Sequence, residues 1–75
     1  MTVDQFRGLH KALPFRPFVM NLADGRQVQV EHPDYAIASP SGRTVIVYRR
    51  DDSFQIVDLM LVTSLDVASE QKQSA

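Results

Sequence analysis

LPFRPFVMNLADGRQVQVEHPD, residues 13–34, is the stretch that decides the fold. Phe18, Met20 and Leu22 alternate with Val19, Asn21 and Ala23, and Val28 and Val30 alternate with Gln27 and Gln29. That is the period-two pattern of two half-buried strands. Asp24-Gly25 lies between them. A two-residue Asp-Gly turn pairs Ala23 with Arg26 and therefore Met20 with Gln29, which sends the apolar residues of the two strands to opposite faces. A three-residue loop, Ala23-Asp24-Gly25, pairs Leu22 with Arg26, Met20 with Val28 and Phe18 with Val30. All the large apolar residues of the hairpin except Val19 then share one face. This loop is a type I turn whose third residue is left-handed in a G1 bulge, a position that favours glycine. The register predicts positive φ at Gly25.

Upstream, TVDQFRGLHKAL reads as a short amphipathic helix. Thr2 caps it, and Gln5 three residues later completes a capping box. Val3, Phe6, Leu9 or His10, and Leu13 recur at helical spacing as one apolar stripe. Pro14 biases Leu13 away from helical dihedrals and ends the helix there. Gly8 weakens it by about 1 kcal/mol relative to alanine, so the helix needs tertiary packing. Phe6, Phe15 and Phe18 are expected to meet where it sits on the sheet. Pro17 stands at a strand start, where a missing N–H is tolerated.

Downstream, Pro33 breaks the chain before a third short strand in HPDYAIAS. PSG at 40–42 is a turn signal. RTVIVY is β-branched throughout and reads as a central strand covered on both faces. RRDDS is a charged turn and FQIV a fifth strand. DLMLVTSLDV begins as one helical turn capped by Asp58 and leads into a last strand with Leu65 and Val67 inward. ASEQKQSA has no apolar anchor. Residues 1–67 thus form a single small β-barrel domain, with 68–75 a disordered tail. The fold class expected is mainly β: a small five- to six-stranded barrel, or a strongly bent antiparallel sheet, with one N-terminal α-helix.

Composition narrows the function classes. Seventy-five residues is near the lower limit for folding alone, since such a domain buries only roughly 60% of its unfolded surface; partners or oligomerisation often help. An apolar content of 44% excludes a wholly disordered chain. A net charge of −1 provides no global field for nucleic acid or anionic membrane. With no cysteine there is neither a disulfide nor a thiolate nucleophile or metal ligand, which suits a reducing cytoplasm. MTVDQFRGLHKALPF lacks the basic head and apolar run of a secretory signal. No apolar run approaches the ~20 residues of a membrane span. A cytoplasmic protein is expected.

The motifs that carry chemistry are few. His32-Pro33-Asp34 sets an imidazole beside a carboxylate, but a metal site needs three or four ligands, and a turn with local side-chain caps is the favoured reading. Arg26, Arg43, Arg49 and Arg50 form an anion or RNA patch if the two hairpins converge, arginine being suited to phosphate. Asp24, Asp51 and Asp52 lie beside them, so surface ion pairs are the favoured reading. PFRPF fits an aromatic groove as a proline-rich ligand, yet its phenylalanines serve better as core plugs. The serines and Thr63 have no histidine at suggestive spacing. No catalytic, cofactor-binding or metal-ligating residue is assigned. Self-association is expected along an open strand edge, with Val45 and Val47 in one strand and Phe54 and Ile56 in the next as candidates.

Two resemblances follow from these residues. The order helix, strand, Asp-Gly turn, strand and three further strands, with a helical turn before the last, resembles Sm-like or Hfq-like proteins of the SH3-like barrel class over roughly residues 3–67. That resemblance implies an RNA-binding ring, and no RNA-binding residue is carried across from it. Leu9, Ala12, Pro14, Phe15, Pro17, Phe18, Leu22, Asp24, Gly25, Arg26, Val30, His32, Pro33 and Asp34 match a pattern LxxAxPFxPFxxxLxDGRxxxVxHPD. It is similar to that of a family of short uncharacterised bacterial proteins. The function expected is a non-enzymatic interaction module that self-associates or binds a protein partner through a sheet edge, with the RNA-binding ring as the alternative.

Overall fold

The Asp24-Gly25 loop takes the three-residue form. In the computed structural model, which describes residues 2–68, Gly25 has φ 92°. Leu22 N donates to Arg26 O at 2.9 Å and Gly25 N to Leu22 O at 3.0 Å. Strands β1 (Phe18–Leu22) and β2 (Gln27–Val30) are antiparallel, with Phe18 opposite Val30 and Met20 opposite Val28. The inward residues are buried, as the alternation requires.

Helix α1 (Val3–His10) starts at the expected capping box: Gln5 N donates to Thr2 Oγ1 at 3.2 Å and Thr2 N to Gln5 Oε1 at 3.0 Å. It ends earlier than the sequence suggests. Lys11 leaves the helical region at φ −103°, ψ 7°. Leu13, placed by its spacing on the apolar stripe, is instead 95% exposed. Pro14 penalises helical dihedrals at the residue before it, and the helix has already unwound by then. Phe6 is fully buried, with its ring 6.2 Å from that of Phe18 in an edge-on contact. Phe15 is half-buried against Phe18, at 6.0 Å. The three phenylalanines do meet at the junction of helix and sheet.

The rest of the chain forms a 3-10 turn (Pro33–Tyr35), β3 (Ala36–Ala38), β4 (Thr44–Tyr48), β5 (Phe54–Asp58), a second 3-10 turn (Leu59–Leu61) and β6 (Val62–Val67). Asp58 caps the second turn, its carboxylate accepting from Met60 N at 2.9 Å. The strands make two three-stranded antiparallel sheets, ordered β2-β1-β6 and β3-β4-β5. No ladder joins them, so neither a closed barrel nor one continuous bent sheet forms among the described residues. Their inner faces share one core, in which Phe6, Phe18, Met20, Val45, Val57 and Leu59 are all but fully buried. Two layers over a common core suit a chain too short for larger ones.

A bulge sets the phase of β6. Met20 faces Leu65 and Asn21 faces Ser64, but Leu22 faces Val62, so Thr63 is extra. Its hydroxyl donates to Asn21 O at 3.1 Å. The extra residue lets Val62 and Leu65, three apart, both turn inward. Val67, expected inward, is 37% exposed at the rim. Ala68 N donates to Pro17 O at 3.0 Å, so the first residue of the expected tail continues the sheet. The remainder of the tail lies outside the described residues. Among the described residues, no helix is long and apolar enough to cross a membrane.

Candidate interaction surface

The two sheets differ sharply on their outer faces. The outer face of the first is polar. Asn21 Nδ2 donates to Ser64 Oγ at 3.1 Å and Asp66 Oδ2 at 3.0 Å, and Gln27 Nε2 donates to Asn21 Oδ1 at 2.9 Å. The outer face of the second is apolar. Ile37 faces Ile46, and Ile46 faces Ile56, an isoleucine row across all three strands. Tyr48 and Phe54 pair beside it with ring centroids 5.7 Å apart. Ile37 is 56% exposed, Phe54 55% and Ile56 61%. The reading of β4 as covered on both faces is therefore corrected. Val45 and Val47 are buried, while Ile46 and Tyr48 look outward onto a face that no further layer covers among the described residues.

The backbone of β5 completes the surface. Arg49 N donates to Ser53 O and Leu59 N to Arg43 O, each at 2.8 Å. These bonds fix the phase of the ladder. Hydrogen-bonded pairs alternate in an antiparallel ladder, so Val45–Val57 and Val47–Gln55 bond to each other. Phe54, Ile56 and Asp58 turn their N–H and C=O groups away from β4, onto the free edge. β4 itself is the centre strand, bonded to β3 on one side and β5 on the other. Val45 and Val47 consequently offer no edge, and their assignment as edge residues is corrected. Phe54 and Ile56 do lie on one. Ile37, Ile46 and Tyr48 were missed as candidate residues. The signal was present: a strand apolar on both faces needs cover on both.

The four candidate arginines do not gather. Arg43 and Arg49 flank β4 at opposite ends, about 20 Å apart at the ordinary strand rise. Arg43 faces Asp58 at 3.7 Å, Arg26 pairs with Asp24 at 2.9 Å, and Arg50 pairs with Glu31 at 2.9 Å. Arg49 donates to Ser53 Oγ at 3.1 Å and Gln55 Oε1 at 2.6 Å. Arg49 and Arg50 share a recess, an open cleft of about 350 Å³ beside Gln27, Gln29 and Glu31. At the same hairpin tip, Asp51 accepts from Ser53 Oγ at 2.6 Å and Ser53 N at 3.0 Å. The hydroxyl bond leads in holding its pKa below the ordinary value. Asp24 is likewise lowered, chiefly by the Arg26 N–H.

His32-Pro33-Asp34 is a local cap. His32 Nδ1 accepts from Asp34 N at 3.1 Å and so starts the first 3-10 turn. His10 comes close to this segment, which its position in the sequence does not reveal. Its Nε2 donates to Pro33 O at 2.6 Å while its ring lies 5.2 Å from that of Phe6. Among the described residues, no three histidine, aspartate or glutamate side chains come together as a metal site. No protein-family model, curated protein or solved structure matches the chain.

Proposed function

We propose that this chain is a non-enzymatic interaction module that self-associates through the free edge of β5, or engages a protein partner there. The observation that carries the reading is the unguarded edge. Natural edges are usually blunted by lysine, proline or a bulge, whereas β5 presents exposed Phe54 and Ile56 with outward N–H and C=O groups, beside half-buried Ile46 and exposed Ile37. A second copy is the simplest occupant. Two β5 strands meeting antiparallel place Ile56 opposite Ile56, each donating to the other's carbonyl across a two-fold axis. The isoleucine row then runs on through six strands.

The Sm-like RNA-binding ring is the alternative from the layout, and the 3-10 turn before β6 supports an SH3-like reading of the two sheets. The dispersal of the arginines, three of them facing carboxylates, favours protein contact over RNA. Sedimentation velocity tests the proposal. The wild type is expected to shift from monomer to dimer between about 10 µM and 1 mM, a range ordinary for a weak complex, and Ile56→Lys to remain monomeric. A wild type that is monomeric throughout contradicts self-association.

A further inference from the structure

The turn that sets the first hairpin also brings an electrophile and a nucleophile together. Attack by Gly25 N on Asp24 Cγ closes a five-membered succinimide ring. Glycine has no side chain to shield that nitrogen, and nothing lies within 4 Å of where its Cβ would stand. The Asp24 side chain is 53% exposed, so water reaches the pair. The step starts from the acid form of Asp24. Gly25 N loses its proton as the bond to Cγ forms, and the carboxyl hydroxyl leaves with that proton as water. Water then reopens the ring. Attack at Cγ restores aspartate. Attack at the main-chain carbonyl of Asp24 breaks its bond to Gly25 N and leaves the chain running through Cγ, an isoaspartate. No oxidant or reductant is consumed.

We propose that Asp24-Gly25 is a latent modification site, open to rearrangement to isoaspartate and protected by its contacts with Leu22 and Arg26. Each reacting group is held. Gly25 N donates to Leu22 O at 3.0 Å, which keeps the proton on the nitrogen and fixes its peptide plane. Asp24 Oδ1 accepts from Arg26 N at 3.0 Å, and Oδ2 accepts from Arg26 Nε at 2.9 Å. Both bonds favour the charged carboxylate, whereas ring closure needs the acid whose hydroxyl can leave. Rearrangement therefore requires the loop to open locally first. Its consequence reaches the core. An isoaspartate adds one carbon to the main chain between residues 24 and 25. The loop then loses the length that sets Leu22 against Arg26, the pair that closes the ladder holding Met20 opposite Val28.

The test incubates the full chain in water enriched in heavy oxygen at near-neutral pH. Ring opening places a solvent oxygen in residue 24, so passage through the succinimide marks that peptide by mass, and isoaspartate separates from aspartate in a peptide map. The same chain unfolded in urea gives the unprotected rate, and a blocked LADGRQV peptide with and without urea corrects for the denaturant. The native chain is expected to label about tenfold more slowly than the unfolded one, the factor set by the net worth of two hydrogen bonds. Arg26→Ala keeps the main-chain N–H but removes the guanidinium, and is expected to label about threefold faster than the wild type. Arg26→Lys, which returns a cation, should fall back toward the wild-type rate. Native labelling at the unfolded rate overturns the proposal. So does an Arg26→Ala rate equal to the wild type, or an unfolded chain that does not label at residue 24. Ile56→Lys is expected to label like the wild type, which separates this result from self-association through β5.

Discussion

Val3 occupies the space that a side chain on Gly42 would need. A Cβ on Gly42 would fall 2.6 Å from Val3 Cβ and closer still to its γ-methyl. Gly42 also has φ 76°, so the turn between β3 and β4 requires glycine for two reasons. This contact seats the N-terminal end of α1, while the bond from His10 to Pro33 seats the other.

Gly25 and Gly42 separate those reasons. Gly25 is left-handed too, but nothing lies within 4 Å of its missing side chain. Gly25→Ala is expected to cost about 1–2 kcal/mol from the backbone alone, and Gly42→Ala about 1–3 kcal/mol more from overpacking. Urea unfolding of the two variants measures the difference. Equal costs would mean that α1 yields freely at Val3.

Phe6 anchors the helix. It is 0% exposed and touches both Phe18 and His10, so Phe6→Ala is expected to destabilise the domain by roughly 3–5 kcal/mol. Phe15→Ala, at a half-buried position, should cost less. An unchanged melting temperature for Phe6→Ala would show α1 to be a detached arm.

His10 contributes a polar tie. His10→Phe keeps a ring beside Phe6 but removes the donor to Pro33 O, and the net loss expected for one such bond is about 1 kcal/mol. A chemical melt indistinguishable from the wild type would show that the bond adds nothing.

Acid should loosen the two hairpin tips. Asp24 and Asp51 have lowered pKa values in the folded chain, through Arg26 N–H and Ser53 hydroxyl bonds respectively. A depressed folded pKa means the folded state holds the proton less tightly, so the contribution is present above the unfolded value. It fades as pH falls through the folded one. Carboxyl NMR titration is expected to give midpoints for both below the ordinary aspartate value. Midpoints at or above that value would contradict the tip geometry.

The sequence disclosed much of what is governed by local chemistry, though not the early end of α1 at His10. Thr2 and Gln5 announce the capping box, Asp58 announces its turn, and alternation around Asp24-Gly25 leaves one register that buries Phe18, Met20 and Val28 together. Features set by long-range pairing stayed hidden. The extra residue at Thr63 depends on where β6 meets Asn21, and neither stretch signals it. RTVIVY reads as a central strand and β4 is one, so the placing of Val45 and Val47 at an edge conflicted with a reading the same residues already supported. The outward row of Ile37, Ile46 and Ile56, exposed at its two ends and half-buried at Ile46, is a property of three strands in register, and each isoleucine alone looks like core. The arginines could be recognised as a group only by composition; strand length then holds Arg43 apart from Arg49 and Arg50.

Amide hydrogen exchange at Ile56, followed against protein concentration, tests the central claim most directly. The Ile56 N–H points off the free edge of β5, so it is expected to exchange fast in dilute solution and to gain protection as copies pair. Protection at Ile56 that rises with concentration and disappears in Phe54→Lys is the result predicted. An Ile56 amide that exchanges equally fast at every concentration would contradict self-association through β5.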